Sequence, residues 1–131
     1  MYLRFITQYV NENGQTQRGF FNAIDYIQNH LSTLNEDKEK LDAVYNWFKK
    51  NLDAPGWFKK PEYRAHEYHS ISWFKDTAKE HIYKIQEAIE ILEKYDLIVE
   101  RVTSKSPGRI MFEDKYQISA VPYSKTRKTV V

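Results

Sequence analysis

The chain has 131 residues, 41% hydrophobic and 15% aromatic, a size and composition suited to a single domain with one core. Its 20 basic and 18 acidic residues leave a net charge of +2, which argues against a general nucleic-acid or membrane binder and leaves room for a local patch. There is no cysteine, so disulfides and thiolate chemistry are excluded, and no stretch approaches the roughly 18 apolar residues of a membrane span.

The opening run Met1-Tyr2-Leu3-Arg4-Phe5-Ile6 lacks the pattern of a secretory leader, and the expectation is a soluble, cytoplasmic protein. Tyr2, Phe5, Ile6, Tyr9 and Val10 predict a strand over 2–10, broken by Asn11-Glu12-Asn13-Gly14. From about residue 17, Phe20, Ile24, Ile27, Leu31 and Leu34 recur at alternating four- and three-residue spacings, one apolar stripe on a helix. Asn35 followed by Glu36 and Asp37 reads as an N-cap with acids in the first turn. The second helix carries Leu41, Val44, Tyr45, Phe48 and Leu52 and stops at Asp53-Ala54-Pro55-Gly56.

Residues 53–70 have no period and read as a long connecting loop, a kind of segment that often carries function. Ile71, Phe74, Ala78, Ile82, Ile85, Ile89 and Leu92 then predict a third helix, the longest. Leu97–Val102, Arg109–Phe112 and Tyr116–Val121 read as strands, with a type II turn at Ser106-Pro107-Gly108. The expected architecture is one α+β domain over 1–131, with the N-terminal strand, three helices and a C-terminal three-stranded antiparallel meander, the helices packed on one sheet face. Residues 122–131 form a basic C-terminal tail with Lys125, Arg127 and Lys128, which by composition should fray or protect a sheet edge across a homodimer.

Three Trp-Phe-Lys triplets, at 47–49, 57–59 and 73–75, contain all three tryptophans. At about 100° per residue, Phe48 and Phe74 fall on the apolar stripes, while Trp47 and Trp73 point about 120–130° away. The bland reading is that the 53–70 loop covers both indoles with Phe58, Tyr63 and Tyr68. The functional one is an aromatic and basic face over residues 47–75. There Trp47, Trp57 and Trp73, rimmed by Lys59, Lys60 and Arg64 with Lys49 and Lys50, would bind a protein partner or a second copy. The same mixture could stack single-stranded bases while its cations track phosphates.

Ala88-Ile89-Glu90-Ile91-Leu92-Glu93-Lys94-Tyr95-Asp96-Leu97-Ile98 resembles the end of a recognition helix entering the first wing strand of a winged-helix DNA-binding domain. That resemblance implies a wing tip at Pro107-Gly108-Arg109, a return strand at Tyr116-Gln117-Ile118, and nucleic acid as the alternative partner.

Other motifs read as structural. His66, His69 and His81 lack the spacing of a zinc site, so no metal or other cofactor is expected. Asp76 and Glu80, beside Lys79 and Lys84, read as a solvated helix face rather than an acid–base pair. The four glycines form no phosphate loop, and no serine sits in a nucleophile elbow. The function that follows is a non-enzymatic protein-interaction module, with no catalytic residue assigned and no membrane partner. Nucleic-acid binding is the alternative, and an enzyme without a recognisable signature comes third.

Overall fold

A computed structural model describes residues 1–30, 32–53 and 70–123. Among them the chain is α+β, in the order β1 (Tyr2–Val10), β2 (Thr16–Gly19), α1 (Phe20–Gln28), α2 (Asn35–Asn51), β3 (Ile71–Lys75), α3 (Lys79–Lys94), β4 (Val99–Ser104), β5 (Arg109–Glu113) and β6 (Gln117–Val121). It divides into two compact units, one drawn from 1–4, 53–79 and 103–131 and the other from 5–52 and 80–102.

In the first unit the start of β1 pairs antiparallel with β3, through Tyr2 against Lys75 and Leu3 against Phe74. β3 then pairs with β6, and β6 with β5. The β5–β6 turn is closed by Asp114, whose carboxylate accepts from the Tyr116 amide at 2.8 Å and the Gln117 amide at 2.9 Å. An Asx residue suits such a turn because its short side chain replaces a missing backbone acceptor. Gln117 is only 3% exposed and donates to the Asp53 carbonyl at 2.6 Å and to Asp114 at 3.1 Å, so its buried amide is satisfied. Gly108 has φ +146°, and a Cβ there would stand 2.1 Å from the Val121 carbonyl oxygen. Backbone approaches backbone so closely that only glycine fits.

In the second unit β1 continues into a hairpin with β2, with Tyr9 opposite Gln17 and Val10 opposite Thr16. The Asn11 carboxamide holds the turn by accepting from the Asn13 and Gln15 amides, and Gly14 supplies the positive φ of +76°. One face of β1 is buried, and α1 lies on it through Phe5–Phe20 and Tyr9–Tyr26 ring contacts at 6.3 and 4.8 Å. α2 follows through Phe21–Phe48 at 5.1 Å. Ile24, Leu41, Ile85 and Leu92 have no exposed surface, and burial of each is worth roughly 1.5–3 kcal/mol. Thr7, 1% exposed, leaves its hydroxyl without a hydrogen-bond partner among the described residues.

Several expectations are corrected. Ile71 to Lys75 is strand β3, not the opening of a helix, because β1 and β6 pair with it on either side. α3 therefore begins at Lys79 and has 16 residues, one fewer than the 17 of α2, so the last helix is not the longest. The apolar stripe from Phe20 ends with α1 at Gln28, and Leu34 is 56% exposed at the N-cap of α2. Asn35 is the first helical residue rather than the cap, and no side chain caps this end. The three-stranded meander is not formed as such: β5 and β6 are partners, while β4 pairs with β1. The strands flanking Pro107-Gly108 are thus not hairpin partners, and both residues are buried, unlike a wing tip. Residues 124–131 of the expected tail lie outside the described residues.

Gly108→Ala is expected to destabilise the protein by about 2–4 kcal/mol in urea unfolding, since both the φ and the close approach must give. An unchanged midpoint would show that β6 can move away at no cost. Thr7→Val, by removing the orphaned hydroxyl, is expected to raise stability by about 1 kcal/mol, and a loss would reveal a bond to that oxygen.

Candidate functional site around Trp47

α2 and α3 of the second unit lie antiparallel, because each end of one is fastened to the opposite end of the other. Near the start of α2, Asp37 accepts from Lys94 Nζ at 2.9 Å and from the Tyr95 hydroxyl at 2.5 Å. The Tyr95 oxygen in turn accepts from the Leu34 amide at 2.9 Å, serving a backbone group that precedes the helix. At the other end, His81 Nε2 donates to the Asn51 carbonyl at 2.7 Å. The last carbonyls of a helix have no partner within it, and a neighbouring donor satisfies one of them.

Trp47 sits on the flank of α2 beside this second fastening and is half-buried. Phe48, the next residue, is 4% exposed and belongs to the core, as its place on the apolar stripe predicts. The indole stands edge-on to His81 at 4.8 Å and to Phe48 at 5.2 Å. Lys84 Nζ lies 5.9 Å from the ring centroid and 3.6 Å from Glu87. A cation over an exposed indole is worth about 0.5–1 kcal/mol, enough to bias the ring's pose. On the other flank of α2, Lys49 covers the Tyr45 ring at 4.8 Å, and Lys50 is exposed.

Of the six residues expected in the binding face, Trp47 alone is described as partly exposed. Trp73 is corrected: it lies on β3 in the first unit, is 6% exposed, and stands opposite Ile118. The Arg4 guanidinium lies 6.0 Å from its ring centroid, and its indole N–H has no acceptor among the described residues. A strand alternates its side chains, so Trp73 turns inward where a helix would have turned it out. Trp57, Lys59, Lys60 and Arg64 lie outside the described residues, as do His66 and His69.

Two residues that matter to this site are missed by sequence reasoning. His81 is 3% exposed, and its partner is a backbone carbonyl that no side-chain pattern announces. Asp37 reads as a first-turn acid yet is 4% exposed and bonded to residues more than fifty positions away.

At the Trp47 flank the described residues present an indole and a lysine at a partly exposed surface. Among them no group of three or more His, Asp or Glu residues is placed to hold a metal, and no helix is long and apolar enough to cross a membrane. No family model, curated protein or solved structure matches the chain.

The Lys94 ammonium, and after it the Tyr95 hydroxyl, hold the Asp37 carboxyl below its ordinary value, and Asp37 raises Lys94 in return. A carboxyl depressed in the folded state stabilises above its unfolded value, and that stability is lost as pH falls through the folded one. Asp37→Asn is therefore expected to be less stable than the wild type at pH 7, with the gap closing below about pH 4. Urea unfolding of both proteins over that range checks it, and a gap independent of pH would remove the charge from the explanation.

Proposed function

We propose that the chain is a non-enzymatic protein-interaction module whose docking face lies on the helical unit around Trp47. The observation that supports this reading is a half-buried indole on the flank of a braced helix pair, with Lys84 beside it and Lys50 exposed in the last turn of α2. Tryptophan is among the side chains that most often dominate binding energy at protein interfaces. The ring is held on one side by His81 and Phe48, so a partner would meet a pre-positioned surface and the ordering cost of binding would be small.

The test is selection of peptides from a random display library against the wild-type protein, followed by affinity measurement on variants. Binding is expected to weaken about tenfold or more on Trp47→Ala and to change little on Trp73→Phe, whose ring is buried. A set of binders indifferent to Trp47 would overturn the reading. Salt-sensitive quenching of Trp47 by a single-stranded oligonucleotide would move the assignment to nucleic acid.

A further inference from the structure

The helical unit carries an acidic cluster between α1 and α2 and a basic pair at the end of α2. Asp25 and Gln28 of α1, Asn29 that caps it, and Lys38, Glu39 and Asp42 of α2 line an open groove of about 440 Å³. Three carboxylates face one lysine there, and none of the three is in an ion pair among the described residues. In the last turn of α2, Lys49 and Lys50 are exposed and likewise have no carboxylate partner among the described residues. Acids at the start of a helix and bases at its end complement the macrodipole. That accounts for Glu36 and for the placement of Lys49 and Lys50, but neither for Asp25, which is on α1, nor for Asp42, about two turns into α2.

We propose that a second copy of this chain docks antiparallel along α2, on the stripe of Asp42, Tyr45, Asn46 and Lys49. Asp42 and Lys49 are about 10 Å apart along the axis and on one face. A two-fold axis between Tyr45 and Asn46 sets Asp42 of each copy against Lys49 of the other, and Tyr45 against Asn46. Each Lys49 then reaches the acidic groove of the opposite copy, and both contacts form together because the interface is isologous. Asp42, Asn46 and Lys49 are exposed and Tyr45 is half-buried, so the stripe is free to meet a neighbour. This surface is separate from the Trp47 face: the Tyr45 and Trp47 directions differ by about 160° around α2.

Sedimentation velocity on the full chain tests it. A concentration-dependent dimer is expected in about 50 mM salt, weakened in about 0.5 M salt. Asp42→Lys makes the stripe wholly basic and Lys49→Glu makes it wholly acidic, so each alone is expected to weaken the dimer about tenfold or more. Mixing the two single variants pairs a basic stripe with an acidic one and is expected to restore the dimer. The double variant D42K/K49E, which exchanges the charges within each copy, is expected to restore it as well. Both positions are exposed, and circular dichroism confirms that the variants fold. A wild type that stays monomeric at several hundred micromolar overturns the proposal. So does a dimer indifferent to both substitutions, one that mixing fails to restore, or one abolished by Trp47→Ala.

Discussion

The helical unit depends on how two antiparallel helices are fastened at both ends. Asp37 is a carboxylate with almost no exposed surface, and an unpaired charge in that position would be costly. Lys94 and Tyr95 satisfy it from the far end of α3, and Tyr95 passes the connection on to the Leu34 amide. The buried Asp37 carboxylate, the Lys94 ammonium, the Tyr95 hydroxyl and the Leu34 amide are thus joined in one network. The His81 bond to the Asn51 carbonyl does the same at the opposite end, where the backbone of α2 runs out of internal donors. Between these two fastenings, Leu41, Val44 and Phe48 of α2 and Ile85, Ala88 and Leu92 of α3 can be buried without the helices sliding.

The posture of Trp47 follows from that arrangement. His81 is immobilised by its carbonyl partner and offers a fixed edge to the indole, while Phe48 is committed to the core one residue later. Successive residues on a helix diverge by about 100°, so a Trp-Phe pair on a surface helix divides between core and flank. The same dipeptide on β3 divides differently, because strand side chains alternate: Trp73 is buried and Phe74 is half-buried. One tripeptide thus places its indole on a surface in one unit and inside the other.

The sheet unit follows a separate constraint, the close approach of β5 and β6. Gly108 lets the chain enter β5 against the Val121 carbonyl, and the register shifts between Ile110 and Phe112. Lys75 and Glu113 pair at 2.5 Å beside it. A register irregularity and a charged residue such as Glu113 on the outer strand β5 both discourage further strands from adding.

By itself the sequence determined the α+β class, the strand at 2–10, the core role of Phe48 and the approximate extent of α2. Each follows from local periodicity or composition, which burial reinforces. It also holds two further local signals. Asn13-Gly14 between extended segments marks the β1–β2 hairpin, and Thr77 with Glu80 has the spacing of a capping box at the start of α3. Only the tertiary structure decided that 71–75 is a strand, since Ile71, Phe74 and Ala78 fit a helical period equally well and the pairing partners lie at both ends of the chain. It alone decided the partner of β4, the burial of Trp73 and His81, and the network around Asp37. Each of these rests on a contact between residues distant in sequence, and spacing along a chain carries no information about which distant groups will satisfy one another.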